Sequence, residues 1–196
     1  MTTPEKFLEQ LEKNGYFIWD NFLIQETTTA IRAAWDEKIQ NAQLTKAGIG
    51  KDGSYAINSA ERGDFISWIA KENADDATKA YLEKISMLIH DLNRNFFMGI
   101  RGYECHFAFY PSGTKYARHA DRHRSGSARV VSFVFYLNEN WREEDGGLLR
   151  IYENNEVVEA ILPTSGRLVV FLSEKEHEVM LTYRPRTSIT GWMLNQ

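Results

Sequence analysis

The sequence predicts a mostly β fold with supporting helices, an α+β arrangement whose second half closes into an antiparallel sandwich or barrel. Three observations predict it. Apolar residues recur at helical spacing only within about the first 100 positions. From Gly102 onward, short aromatic and β-branched runs alternate with turn clusters. A hydrophobic content of 43%, with 13% aromatic, in 196 residues suits a single core, so one domain is expected over 1–196, with helical support over 1–100 and the β core over about 102–194.

Taken in order, residues 4–13 read as a short helix opened by Pro4 after Thr3, with Leu8 and Leu11 on one face, and stopped near Asn14 and Gly15. A strand from Tyr16 to Trp19 follows. Residues 25–43 return to helical spacing through Ile31, Ala34, Trp35 and Ile39, and Asp75 to Phe97 does so through Tyr81, Leu82, Ile85, Leu88, Ile89 and Leu92. These helices are expected to buttress a sheet. Gly48 to Asp64 is rich in glycine and small polar residues and reads as a long loop, either a lid or binding loop or a plain insertion, leading into a strand or short buried segment at Phe65–Ile69. Strands are then expected over Tyr103–Tyr110, Val130–Leu137, Leu148–Tyr152, Val157–Leu162, Leu168–Leu172, Glu178–Tyr183 and Thr187–Leu194.

Composition excludes several classes. A formal charge of -4 and a pI near 5.8 argue against a surface for nucleic acid, which rests on clustered Lys and Arg. The single Cys105 cannot form an internal disulfide, and the polar N-terminal segment lacks the apolar stretch of a signal peptide, so a cytoplasmic location is expected. No apolar run approaches the roughly 20 residues that span a bilayer. No membrane association is expected, and the protein is expected to be a monomer.

The chemistry concentrates in four residues. In an extended strand, residues i and i+2 share a face, so His119 and Asp121 can aim at one metal. His177 completes a 2-His-1-carboxylate set that leaves three adjacent positions open, suited to Fe(II), a 2-oxo acid and dioxygen. Arg186 would give the far carboxylate of a dicarboxylic co-substrate such as 2-oxoglutarate a forked, permanent cation, and it opens the last strand, where a neighbour of the His177 strand would sit. Otherwise it is a surface arginine. Chance alone supplies a histidine followed two residues on by an acid about 0.7 times in such a composition, so the surrounding sequence has to carry the weight. Tyr110 and Tyr136 read as inward phenols that bond the co-substrate, or else as core tyrosines, and Thr190 as a polar group nearby. His106 and His90 read as structural. The structural reading is preferred for His123 as well, although the spacing His119, Asp121, His123 could offer a rival, zinc-type set with His177. Gly48 and Gly50 lack the third glycine and the preceding strand of a dinucleotide loop.

Several ordered blocks carry a resemblance. They are Arg62–Ile69 (RGDFISWI), Tyr110–Asp121 (YPSGTKYARHAD), Tyr136–Trp141 (YLNENW), Gly146–Ile151 (GGLLRI), His177–Val179 (HEV) and Arg186–Trp192 (RTSITGW). Over roughly residues 45–192 the chain resembles the Fe(II)/2-oxoglutarate-dependent prolyl hydroxylases, above all the hypoxia-inducible-factor prolyl hydroxylases and their bacterial relatives. The resemblance implies a double-stranded β-helix (jelly-roll) core, iron ligands His119, Asp121 and His177, and Arg186 as the 2-oxoglutarate anchor where collagen-type enzymes usually carry lysine. It implies that Tyr136 contacts the 5-carboxylate and that Tyr110 and Thr190 line the pocket. Arg129 is associated with substrate binding and loop closure, and Arg62 and Asp64 stand at the distal end of that loop. The implied reaction is C4 hydroxylation of a prolyl residue in a protein or peptide, with ascorbate supporting turnover, elongation factor Tu as candidate substrate and oxygen sensing as candidate role. The alternatives are the same chemistry on a free amino acid or ribosomal protein, and a catalytically silent jelly-roll binding module. The stretch after Asp121 is one residue longer than in the animal enzymes, and the turn after Pro111 one shorter.

Overall fold

Alternation along the central strands sorts their side chains into two cores. The computed structural model describes residues 3–41, 43–48, 61–122 and 127–196, so most of the expected loop, at 49–60, and His123 lie outside the described residues. Among the described residues, eleven strands form two facing sheets. They are β1 Tyr16–Trp19, β2 Thr45–Lys46, β3 Phe65–Trp68, β4 Gly102–Tyr110, β5 Tyr116–His119, β6 Arg129–Tyr136, β7 Leu149–Glu153, β8 Glu156–Ile161, β9 Leu168–Leu172, β10 His177–Val179 and β11 Arg186–Leu194. The larger sheet has the order β1-β9-β6-β11-β4-β3-β2 and the smaller β5-β10-β7-β8. This is the jelly-roll.

On β6, Phe133 and Phe135 point to the helical side, whereas Val134 and Tyr136 point between the sheets. Three helices cover the outer face of the large sheet: α1 Glu5–Asn14, α2 Gln25–Gln40 and α3 Asp76–Phe96. Their buried residues recur at helical spacing, Phe7 and Leu11 on α1, Thr28, Ile31 and Trp35 on α2, and Tyr81, Leu82, Ile85, Leu88 and Leu92 on α3. Trp35 stacks on Phe107 of β4 with ring centroids 4.6 Å apart, tying α2 to the sheet. Pro4 occupies the N-cap of α1, and Gly15, in the left-handed region with φ 73, returns its N–H to Leu11 O to end the helix. No helix among the described residues is long and apolar enough to cross a membrane.

Three expectations are corrected. The strand expected over Glu178–Tyr183 is short, His177–Val179, because Leu181 O accepts from Gly147 N–H while Thr182 bonds Gly113 and Thr114, diverting the chain from the ladder. The strand at Tyr116–His119 was not expected, its four residues being partly exposed and mixed in polarity. The strand opened by Arg186 is not a neighbour of the His177 strand: β11 pairs with β4 and β6, whereas β10 lies between β5 and β7 in the opposing sheet. Arg186 therefore reaches the site across the sandwich.

The start of α3 yields a stability prediction. Asp75 accepts from Thr78 N–H at 2.9 Å and from the Thr78 hydroxyl at 2.7 Å, an N-cap worth about 1 kcal/mol. Burial pushes its carboxyl up, but those hydrogen bonds outweigh burial and hold it below its ordinary value. A lowered carboxyl stabilises the fold at neutral pH and loses that contribution as pH falls through the lowered value. Asp75→Ala should therefore lower the melting temperature by about 2–4 °C at pH 7. The gap to wild type should close in strong acid, and a gap that is constant with pH would deny the cap its charge.

Candidate metal centre and co-substrate pocket

Strand pairing brings the two histidines together. His119 ends β5, His177 opens β10, and the two are cross-strand partners with ring centroids 4.3 Å apart. Each Nδ1 lies against a backbone carbonyl two residues back, Ala117 O at 2.9 Å for His119 and Lys175 O at 3.0 Å for His177. A carbonyl only accepts, so Nδ1 carries the hydrogen in both rings and each Nε2 presents its lone pair. Both lone pairs point at the Asp121 carboxylate, with His119 Nε2 3.6 Å from Oδ1 and His177 Nε2 3.5 Å from Oδ2. Three acceptors converge with no donor between them, and a cation is the group that satisfies such a set.

The surroundings prepare these groups as ligands. Burial pushes His177 down to about 4, with His119 adding to the effect, so it is neutral at physiological pH. Burial opposes ionisation of Asp121, but His177, His119 and the Ser132 hydroxyl outweigh it and hold the carboxyl far below the usual range. Ser132 donates to Asp121 Oδ2 at 2.7 Å and shares a 2.9 Å contact with the Ser173 hydroxyl. Phe171 packs edge-on against His177, with centroids 4.6 Å apart.

At the other end of the same cavity lies a charge of opposite sign. Arg186 is 1% exposed, which rules out the surface alternative, and among the described residues no carboxylate pairs with it. Its Nε donates to Gly147 O at 3.0 Å, and its guanidinium carbon lies 5.1 Å from the Tyr110 ring centroid and 5.0 Å from that of Tyr136. Gly147, at φ 67, allows this approach, because a Cβ there would stand 3.0 Å from Arg186 Cδ. Tyr136 stands behind the residues that line the cavity, and among the described residues no acceptor takes the hydrogen of its buried hydroxyl. Burial pushes the Tyr136 phenol up against the opposing pull of Arg186, so it remains a donor. A buried cation without a counter-ion and a phenol without an acceptor fit one group, a carboxylate. Thr190, on β11, lines the same cavity.

The remaining expected residues are Arg129, Arg62 and Asp64. Arg129 pairs with Glu104 at 2.7 Å and stacks over Trp192 at 3.5 Å. It does not line the cavity itself, whereas Arg62 and Asp64 do. Those two pair bidentately with each other, Nε to Oδ1 at 2.7 Å and Nη2 to Oδ2 at 3.0 Å.

Ser132, Ser173, Tyr116, His106 and Trp192 were not singled out as site residues by sequence. Ser132 left a signal, a polar residue at an inward position of the otherwise largely apolar run 130–136. His106 is buried as expected, yet it lines the cavity with Nδ1 unbonded, and burial lowers it to about 3. Trp192 Nε1 is likewise buried and unbonded. Removing the hydroxyl beneath Asp121 tests the acceptor cluster: Ser132→Ala should weaken Co(II) binding to the metal-free chain about tenfold. Unchanged affinity in a titration would show that Ser132 does not support the carboxylate.

Residues 105–194 match the family described as the 2OG-Fe(II) oxygenase superfamily. The hypoxia-inducible factor prolyl hydroxylase of Caenorhabditis elegans is 28% identical over 208 residues, covering 98% of this chain but only 28% of that protein, so the chain spans just over a quarter of its length. The crystal structure of a Pseudomonas putida prolyl-4-hydroxylase superposes with a TM-score of 0.88 at 36% identity, covering 97% of this chain and 98% of that one. A Trichoplax adhaerens prolyl hydroxylase, in complex with a peptide fragment of the hypoxia inducible factor oxygen degradation domain, superposes with a TM-score of 0.89 at 31% identity, covering 97% and 88%. Family members use Fe(II), 2-oxoglutarate and dioxygen, groups that match the acceptor cluster and the unpaired guanidinium. The chain thus belongs to the 2OG-Fe(II) oxygenases of the prolyl-hydroxylase type.

Proposed function

We propose that the chain is a single catalytic domain that hydroxylates a prolyl residue, at C4, in a protein substrate. The observation that carries this is the presence, in one cavity, of three converging acceptors and a buried guanidinium without a carboxylate partner among the described residues. Bound Fe(II) supplies the oxygen chemistry: one atom of dioxygen enters the prolyl C–H bond as a hydroxyl, and the other is retained in succinate as 2-oxoglutarate loses CO2. His119, Asp121 and His177 would hold the ion, a set that suits Fe(II) with a 2-oxo acid and dioxygen. Arg186 takes the distal carboxylate in its fork, the Tyr136 hydroxyl donates to the same carboxylate, and Tyr110 and Thr190 line the co-substrate's path. The apolar walls Val134, Leu149, Phe171 and Val179 keep water from the reacting centre.

A peptide substrate is assigned Arg129, Arg62 and Asp64 as its binding residues. The Trichoplax relative, solved with a peptide, supports this class of substrate over a free amino acid. Within it, elongation factor Tu is the proposed target, by the resemblance to bacterial enzymes. The setting is proposed to be cytoplasmic and the protein a monomer, with ascorbate keeping iron reduced and oxygen supply setting the rate, as a sensor requires.

Arg186→Lys should raise the KM for 2-oxoglutarate about tenfold or more, because one ammonium cannot reproduce a planar fork. A KM equal to wild type would remove Arg186 from its role. Asp121→Ala should abolish Fe(II)-dependent succinate formation, and activity retained with iron bound would break the ligand assignment. Mass spectrometry of host proteins, with and without the active enzyme, should show a proline heavier by one oxygen atom. Turnover of 2-oxoglutarate no higher than in a His119→Ala control would instead favour a binding module.

A further inference from the structure

The segment 61–64 is wired to one of the two histidines. Asp64 is fully buried, and both its oxygens accept from Arg62. The Arg62 guanidinium carbon lies 4.6 Å from the centroid of the Tyr116 ring, and that ring stacks on His119 with centroids 3.8 Å apart and planes 20° from parallel. The backbone follows the same path. Arg62 and Tyr116 form an antiparallel bridge, Gly63 N–H donates to Lys115 O at 3.0 Å, and Ala117 N–H donates to Glu61 O at 2.7 Å. Gly63 permits this contact, since a Cβ there would fall 2.6 Å from Thr114 Cβ. The segment thus covers the edge of the small sheet at β5 and continues directly into β3 of the large sheet.

We infer that Asp64, Arg62 and Tyr116 form a positioning column that fixes the plane of the His119 imidazole, so that its Nε2 lone pair stays aimed at the metal position. The inference rests on the proposed role of His119 as a ligand. An imidazole held only by its Nδ1–H hydrogen bond can still swing about that bond, and a stacked ring removes the freedom. The column is itself rigid because the bidentate pair fixes the guanidinium in a plane, burial of Asp64 makes loss of that pair costly, and Arg62 Nη1 also donates to Gly48 O at 3.2 Å. His177, by contrast, takes its edge contact from Phe171 in the opposite sheet. Arg62 and Asp64 therefore act on the metal site before any substrate arrives. A role confined to substrate contact would leave the metal site untouched.

The test reads the metal site without substrate, by Co(II) affinity and visible d–d absorption of the Co(II)-loaded chain. Tyr116→Leu removes the ring and should weaken Co(II) binding about tenfold and change the band shape. Tyr116→Phe keeps the ring and should restore both to wild type. Arg62→Lys, which retains charge but loses the fork and the flat stacking face, should weaken binding roughly threefold and carries the same test if Tyr116→Leu does not fold. Wild-type affinity and spectrum in folded Tyr116→Leu or Arg62→Lys, alongside a loss in His119→Ala, would overturn the column and leave the ligand assignment standing. Wild-type Co(II) binding by His119→Ala would overturn both.

Discussion

The structure is organised around two uncompensated features buried in one sandwich: three acceptors that meet at His119, Asp121 and His177, and a guanidinium, Arg186, that no carboxylate answers among the described residues. Either alone is unfavourable, since buried charge and facing lone pairs need partners. The fold supplies the rigidity to hold both. The nine-residue register of β11 against β4 sets Arg186 opposite Tyr110, and its register against β6 sets Ser188 opposite Tyr136, fixing the carboxylate end. The pairing of β5 with β10 fixes the metal end. The helices contribute by packing on the far face of the large sheet, where Trp35, Tyr81 and Phe135 make the outer core and leave the inner face to the site.

How much of this was legible in the sequence follows from the range of the interactions. Elements set by local periodicity were readable: α3 begins at an aspartate cap and carries its apolar stripe, and β11 starts at Arg186 as expected. The acceptor cluster was readable because His119 and Asp121 lie two apart in the sequence, although the strand ends at His119 and Asp121 follows in a bend. The partner of β11 was not, because sheet order depends on pairings between residues far apart in the chain, and β11 lies with β4 and β6 instead of beside β10. The strand Tyr116–His119 escaped for a related reason: its identity comes from β10 on one side and residues 61–63 on the other, neither of which is local. Ser173 beneath Ser132 also left no sequence pattern, since the two meet only across paired strands.

The mouth differs in character from the cavity. Arg186 is uncompensated among the described residues, whereas Arg62 with Asp64 in the cavity lining and Arg129 with Glu104 outside it are paired, each of these two guanidiniums also lying on an aromatic ring, Tyr116 or Trp192. Only Trp68 of the neighbouring rings is half exposed, and it packs against the buried rings of His106 and Trp192. The cavity is thus built for small charged groups and the rim for a larger, partly apolar one, a division that suits a co-substrate within and a peptide without.

The central claim is that the two features form one site, completed jointly by a metal and a dicarboxylate bearing a 2-oxo group. Calorimetric titration of 2-oxoglutarate into the chain with and without Mn(II), beside glutarate as the dicarboxylate without the 2-oxo group, tests it most directly. The account predicts that Mn(II) strengthens 2-oxoglutarate binding by about tenfold or more while leaving glutarate weak, since only the former engages metal and Arg186 together. Binding of 2-oxoglutarate that is indifferent to the metal would contradict it.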